Sequence, residues 1–530
     1  MREELRRREV CVELIIALAV RTASATMSLE ARPLRVRNIV VRGCVLTHES
    51  VVRNELAGLA GTQRTLGEVG DRCLEAAGAL RSLGVFHSAE VLVDRAADAG
   101  AGVADVVVTV TEKKRLASAS TGVHTQGGEG QMDAAVSVRN LLGRAERLDL
   151  HLEVGQQKSN SFRLSATKPR LLGQDVELCA DVSGLTASHV KHSSHMEKLR
   201  GASIAVATGR PDLALGAHEL RYELQLRDVC KVPTRTASWA VLQQRGVSVK
   251  SSLKHTARAR AQFGAQFGAQ FSARNSVPRA IHPDAPSLPT PQARFSSLDN
   301  ATAPTRGTAL RLVTELALPP LGDCRFAKHA ADATAHVPLL PGGKLDLKLS
   351  SHFGLLLPLG SPPDGAAAST SHICDRFFLG GPGTFWGFRT HGVGPHEPRH
   401  GSPAAAAAAS GGGAAKPPLR DAVGGDVSAT ATAALSTPLP GKLAAAGVRA
   451  QVFGTVGGLH ALGDLTATGG SLARVAGSFV RGARACVGAG IVVPTGIGRI
   501  EFNLTHVLRK RPEDAARRSG WQVGVSGSIV

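Results

Sequence analysis

The sequence predicts an all-β transmembrane barrel of about 16 antiparallel strands, preceded by one small α+β domain. Three observations predict it. Hydrophobic residues make up 43% of the 530 residues, yet no run approaches the roughly 20 apolar residues of a membrane-crossing helix. The best run, Cys11 to Val20, contains Glu13. From about residue 115 onward, segments of about eight to twelve residues alternate between apolar and polar, which is strand periodicity. The segment before them has a different texture, with a helix signature set between short strands.

Residues 1–33 are read as a disordered N-terminal extension. Its opening, MREELRRREV, mixes Arg2, Arg6, Arg7 and Arg8 with Glu3, Glu4 and Glu9, whereas a transit peptide is poor in acids. Residues 34–114 read as a compact unit in the order β-α-α-β-β. A strand is expected from Leu34 to Val41, and Thr47 opens a short helix from Val51 to Leu56. Thr65 and Glu68 have the T-x-x-E spacing of a capping box, which satisfies two otherwise free amides. Leu66, Val69, Cys73, Ala77, Leu80 and Leu83 then recur at helical spacing. Gly84 supplies the stop. Strands from Val85 to Asp94 and from Val103 to Thr111 follow, joined by AADAGAG.

Residues 115–530 carry the alternation. Leu148, Leu150, Leu152 and Val154 alternate with Arg147, Asp149, His151 and Glu153. Leu220, Tyr222, Leu224 and Leu226 alternate with Glu219, Arg221, Glu223, Gln225 and Arg227. Leu345, Leu347 and Leu349 face away from Lys344, Asp346, Lys348 and Ser350, and Ile500, Phe502 and Leu504 from Arg499, Glu501, Asn503 and Thr505. Period two places each set on one face of a strand. A soluble sandwich buries the apolar faces between two sheets. A membrane barrel turns them to lipid and leaves the charged faces around a wet lumen. Strand length favours the barrel, which needs about 9–11 residues per crossing. Aromatic residues at 4% leave the interfacial girdles thin.

About sixteen or seventeen strand segments fit between Leu116 and Val530, Thr234 to Gln243 being the ambiguous one. A long loop spans 361–424. Low-complexity stretches fall between strands: Ala261 to Phe271, Asn275 to Pro304, and Ser402 to Lys416.

The net charge of +19 is diffuse, without a block of like charges, and three Trp and one Tyr offer little for stacking bases. No nucleic-acid partner is expected. The eight cysteines are singles without a C-x-x-C pair, so a zinc ribbon has no support and the thiols are read as reduced. There is no phosphate loop, no H-E-x-x-H and no G-x-S-x-G. Nineteen histidines lie without ligand spacing and read as lumen or loop residues. The chain is therefore expected not to be an enzyme, with no catalytic residue, metal or cofactor.

One segment is glycine-dense and aromatic, DRFFLGGPGTFWGFRTHGVGP from Asp375 to Pro395. It resembles the long loop of the outer-membrane assembly barrels, the superfamily that contains bacterial BamA. More narrowly, the chain resembles the barrel subunit of the mitochondrial sorting and assembly machinery, the SAM complex. Further matching stretches are SLGVFHSAEVLVD (Ser82 to Asp94), VRNLLGRAERLDLHLEVG (Val138 to Gly155), RTASWAV (Arg235 to Val241), SVKSSLKH (Ser248 to His255) and GAGIVVPTGIGRIEFNL (Gly488 to Leu504). The resemblance runs from about Pro33 to Val530 and identifies the β-α-α-β-β unit as a single POTRA domain.

That resemblance implies a sixteen-stranded barrel whose first and last strands form a lateral gate. β-Barrel precursors would be folded and inserted there, in the mitochondrial outer membrane. The partners it implies are those precursors, accessory SAM subunits and the lipid bilayer. The alternative is a chloroplast outer-envelope relative, acting as a protein-translocation channel or a barrel assembly factor. The implied lumen-loop residues are Asp375, Arg376, Leu379, Gly380, Gly381, Pro382, Trp386, Gly387, Phe388, Gly394 and Pro395. In the family's R-G-F/Y triplet the arginine is here Trp386. An aromatic ring cannot make an arginine's charge-assisted hydrogen bonds. The loop–wall contact is expected either to be carried by a stacked Trp386 or to be weakened. The facing wall matches Phe453, Thr455 and Gly457, with Thr455 where relatives have Asn or Asp. Gln522, Gly524, Gly527 and Ile529 fit the last-strand β-signal in part, Gly527 being a poor hydrophobe.

Overall fold

The structure is a computed structural model. It describes residues 32–526 except 61–62, 97–101, 115, 127–128, 157–158, 209–216, 260–305, 320, 341–343, 360–370, 401–418, 464–476, 478, 496–497 and 518–519. The stretches Ala261 to Phe271, Asn275 to Pro304 and Ser402 to Lys416, nearly all of the N-terminal extension, and Gly527 and Ile529 lie outside the described residues. Two compact units divide the chain. One comprises Met1–Ser118, Ser137–Leu148 and Thr167–Asp175, and the other comprises the rest.

In the first unit a four-stranded sheet carries two helices. Its strands are β1 (Pro33–Arg42), β2 (Gln63–Thr65), β3 (Phe86–Arg95) and β4 (Val103–Glu112), and its helices are α1 (Glu49–Glu55) and α2 (Leu66–Ser82). The sheet order is β2-β1-β4-β3, with β1 and β4 parallel. α2 forms where the capping box predicts. The Thr65 hydroxyl accepts from Glu68 N at 3.3 Å, and the Glu68 carboxylate accepts from Thr65 N at 3.1 Å. The buried apolar face of α2 (Val69, Cys73, Ala76, Leu80) packs with Val36, Val52, Phe86, Val106 and Val108 into one core. Strand β2 was not expected from the sequence. Three residues are too few for a periodicity, and their extended backbone is set by pairing with β1 at Pro33↔Thr65. Glu112 accepts from the amides of Val45, Leu46 and Thr47. Burial alone would lift its carboxyl, but these donors outweigh it and hold it below its ordinary range.

A single antiparallel sheet of 16 strands dominates the rest. In chain order its strands are β5 (Ala117–Gln126), β6 (Glu129–Arg139), β7 (Arg147–Gly155), β8 (Asn160–Lys168), β9 (Val176–Ser188), β10 (Met196–Thr208), β11 (Ala217–Cys230) and β12 (Gly246–Ala259). Then come β13 (Gly307–Ala317), β14 (Phe326–Leu340) and β15 (Leu345–Pro358). Within the long loop, β16 (His396–Pro398) and β17 (Arg420–Ala422) make a small ladder of their own. The sheet resumes with β18 (Val427–Pro438), β19 (Arg449–His460), β20 (Arg484–Thr495), β21 (Gly498–Arg509) and β22 (Trp521–Ser526). Neighbours in sequence are neighbours in the sheet, and β5 and β22 stand at the two ends of the order.

The ambiguous segment, Thr234 to Gln243, is not a strand. Pro233 O accepts from Thr236 N and Ala237 N, and Trp239–Leu242 form one helical turn. This turn belongs to the β11–β12 connection.

The faces of the large sheet decide between sandwich and barrel. In β11, Leu220, Tyr222, Leu224 and Leu226 are exposed while Glu219, Arg221 and Arg227 are buried; Leu220 is 49% exposed and Arg227 1%. In β8, Phe162 and Leu164 are exposed while Ser161, Arg163, Ser165 and Thr167 are buried. A sandwich requires the opposite sense. Apolar faces turned outward and charged faces turned inward are stable only against lipid. Many of the inward charges are paired. Arg221 contacts Asp181 and Glu219, Lys250 Nζ lies 2.7 Å from Glu315, and Arg449 pairs with Asp346.

Candidate functional site: the lumen loop and its wall

The loop between β15 and β18 is described over 371–400 and 419–426. Its first anchor is a turn at Ile373–Asp375. Arg227, on the inner face of β11, donates from both Nη atoms to the two Asp375 oxygens at 2.6 Å each. Lys328 Nζ donates to Asp375 O at 2.8 Å and stands 4.5 Å above the Phe377 ring, a cation–π contact. Burial alone would raise the Asp375 carboxyl, but the Arg227 guanidinium outweighs it and holds it below its ordinary range. Arg376 turns the other way, donating to Ser371 Oγ and to Val423 O. These bonds clamp the descending limb of the loop to its returning limb.

The tip is a tight reversal. Gly381 N donates to Phe385 O and Phe385 N to Gly381 O, both at 3.1 Å. Phe385 and Phe388 are fully buried and meet edge to face, 5.2 Å between ring centres. Leu379 joins the same core with Val393, Phe453 and Leu459. Gly387 has φ +87°, a conformation that a Cβ disfavours, and a Cβ there would stand 2.9 Å from Val507 Cγ2. The backbone can therefore lie flat on the wall. Gly387 N donates to Gln522 Oε1 at 2.6 Å, and Gln522 Nε2 donates to Phe388 O at 2.7 Å. One side chain of the last strand thus satisfies both sides of the loop tip.

The β21–β22 connection continues this docking. Arg517 N donates to Gly387 O, Arg389 N to Ala515 O, and Ala515 N to Gly392 O. Gly394 N donates to Asp514 Oδ1. Asp514 in turn accepts two hydrogen bonds from buried Arg484, each at 2.9 Å. Pro395 O accepts from Val423 N at 3.2 Å.

Trp386 meets the wall tilted and not stacked. Its ring centre lies 6.2 Å from that of Phe453, tilted by 53°. Its six-membered ring also covers Gly524 of β22, where a Cβ would meet it at 2.8 Å and Pro382 Cβ at 3.2 Å. Of the wall residues expected from the sequence, Phe453 meets the loop. The Thr455 hydroxyl is paired with Thr432 Oγ1 of β18 at 3.0 Å. Gly457 packs on the β18 backbone, a Cβ there falling 2.3 Å from Ala429 O. Sequence reasoning missed Arg227, Lys328, Arg484 and Asp514 as anchors. Arg227 falls on a strand rich in charges, whereas Lys328 and Arg484 are the single Lys or Arg of their strands, and no local signal shows that any of them meets the loop. It also missed a grouping of histidines: His189, His195 and Glu197 bring their ligand atoms within 4.8 Å of one another.

Comparison with known proteins identifies the family. Residues 140–529 match the family model described as the Omp85 superfamily domain. The chain belongs to the Omp85 superfamily. Among the relatives of this Omp85 chain is the human sorting and assembly machinery component 50 homolog. It is 28% identical over 371 residues, covering 69% of this chain and 67% of that protein. A SAM50-like protein of Schizosaccharomyces pombe is 26% identical over 505 residues, covering 93% and 90%. Among solved structures, BamA from Haemophilus ducreyi lacking POTRA domains 1–3 superimposes with a TM-score of 0.68 at 17% identity, covering 93% of this chain and 84% of that one. That likeness concerns the fold.

Proposed function

We propose that this Omp85 protein folds β-barrel precursors and inserts them into the mitochondrial outer membrane as the barrel subunit of a sorting and assembly machinery. The SAM50-type relatives and the BamA-like barrel support an insertase. The observation that carries the finer reading is the clamp on the last strand. The loop tip is hydrogen-bonded through Gln522 to β22, which lies at one end of the strand order opposite β5. In this reading β5 and β22 form a lateral gate. A precursor's terminal strand adds to the opened edge through backbone hydrogen bonds, because an unpaired edge offers a row of free N–H and C=O groups. The lumen loop, held by Arg227 at one end and Gln522 at the other, keeps β22 in position while its partner strand changes. The single N-terminal unit, 34–114, acts as a POTRA domain. Accessory subunits of the machinery and the surrounding lipid are its further partners, and binding and positioning carry the work.

The experiment is replacement of the native protein by the Gln522→Ala variant in isolated mitochondria, followed by porin import. Loss of Gln522 strips the Gly387 amide and the Phe388 carbonyl of their partner, at about 1–3 kcal/mol for each buried group. Porin assembly is expected to slow while the variant itself remains membrane-inserted. Normal porin assembly after depletion of the protein would remove the insertase reading. Normal assembly by Gln522→Ala alone would remove the clamp. Exclusive fractionation with chloroplasts would move the protein to the envelope.

A further inference from the structure

The connection between β9 and β10 is short and rich in histidine. His189 precedes a single helical turn, Val190–Ser193, Ser194 reverses the chain at φ +52°, and His195 leads directly into β10. The reversal folds His189, His195 and Glu197 onto one spot, their ligand atoms within 4.8 Å of one another. His189 Nε2 is 3.4 Å from one Glu197 oxygen. The other, Oε1, is buried and has no hydrogen-bond partner of normal length. Glu197 is 5% exposed and His195 2%. The groups that face the carboxylate are imidazoles and a thiol, from His189, His195 and Cys374. Cys374 comes from the lumen loop, next to the Asp375 anchor.

Two features make this a ligand set. His195 Nδ1 lies 2.9 Å from Ser193 O. Donation to that carbonyl fixes the neutral tautomer and leaves the Nε2 lone pair free, the usual support of a metal-bound histidine. A carboxylate taken out of water with one oxygen unpartnered calls for a cation, and a divalent ion would supply charge and coordination together. The donors are two imidazole nitrogens, a carboxylate oxygen and a thiol sulfur. Hard ions such as magnesium and calcium prefer all-oxygen sites, whereas this mixture suits zinc. A tetrahedral zinc sets its ligand atoms about 3.3–3.7 Å apart, so side-chain rotations of about 1 Å bring His189, His195 and Glu197 into place, and Cys374, which faces the same carboxylate, turns its sulfur in to complete the set.

We propose that His189, His195, Glu197 and Cys374 form a zinc-class metal site that clips the β9–β10 turn to the lumen loop. Cys374 binds as the thiolate, and its proton passes to solvent. The turn is already tied to the loop's returning limb, where Ser193 Oγ donates to Ala422 O and Ser194 Oγ to Asp421 Oδ1. The metal would add a bond to the descending limb, so that both limbs are fixed to one turn. This inference stands on the loop geometry and does not depend on the insertase reading.

The test uses the full chain in detergent, stripped of metal and titrated with Co²⁺, then with Zn²⁺. The expected result is one Co²⁺ per chain, with intense visible bands of a tetrahedral ion and a near-ultraviolet thiolate charge-transfer band, both bleached by Zn²⁺. His195→Ala and Glu197→Gln should each weaken binding at least about tenfold. Cys374→Ser, close in size and safe for folding, should keep the ion and lose only the charge-transfer band. Sub-stoichiometric binding by the native chain, or unchanged binding in a folded Glu197→Gln variant, would overturn the site. A charge-transfer band that survives Cys374→Ser would overturn the fourth ligand.

Discussion

The two units use the same strand periodicity with opposite senses of burial. In β4, Ala104, Val106, Val108 and Val110 are buried and form part of an apolar core. In β11 the leucines are exposed, and Glu219, Arg221 and Arg227 are buried. The polypeptide geometry is the same; the solvent differs. Around the first unit the polar medium is outside, so apolar side chains gain by turning inward. Around the barrel the polar medium is the lumen and the apolar one is the bilayer. The charged side chains therefore do the interior packing, with ion pairs where the first unit has methyl contacts.

Five single substitutions and one double variant test the contrast between the two units. The largest effect is expected from Arg227→Met. It leaves the Asp375 carboxylate buried without its cation, and breaking a buried pair on one side costs about 3–5 kcal/mol. Arg227→Met combined with Asp375→Asn should recover much of the loss, as read by chemical unfolding in detergent. In the first unit the corresponding interior change is Leu80→Ala, a cavity costing about 2–5 kcal/mol. Next, an arginine is placed on the outer face of each unit. Leu224→Arg should destabilise the barrel by about 2–4 kcal/mol in bilayers. Leu92→Arg, at a site 60% exposed on β3, should stay within about 0.5 kcal/mol. Equal costs at the two positions would mean that the same medium surrounds both. A smaller loss than the core and outer-barrel changes cause is expected from Thr65→Ala, which removes the capping box of α2 at about 1 kcal/mol. Hydrogen exchange should quicken in α2 and leave the barrel amides unchanged.

Much of the fold was legible because it rests on local rules. The capping box at Thr65 and Glu68 placed the start of α2, and Gly84 marked the residue after its C-cap. The alternation of β7, β11, β15 and β21 placed those strands within a few residues. One omission and one ambiguity have local causes. β2 is a three-residue partner of β1 with no pattern of its own. Thr234 to Gln243 reads as strand-like until the turn after Pro233 is seen. The site was legible only as a segment. The glycines and aromatics from Asp375 to Pro395 marked a loop that packs tightly, and Phe453 and Gln522 were singled out. That Gln522 would hold Gly387 and Phe388, and that Thr455 would pair with Thr432, depends on register across four strands. Neither partner is close in sequence.

By itself the sequence determined where most of the strands and the start and stop of α2 lie, since backbone sterics and the period of side-chain direction act over a few residues. It also left the chain without any long apolar run, so that a membrane could be crossed only by strands. The tertiary structure alone decided which face looks outward, which of many arginines meets Asp375, and that His189, His195 and Glu197 converge. Those outcomes depend on how the strands pair in register and on the medium each face meets. Both are set by contacts between residues far apart in the chain, which leave no periodic trace in the sequence.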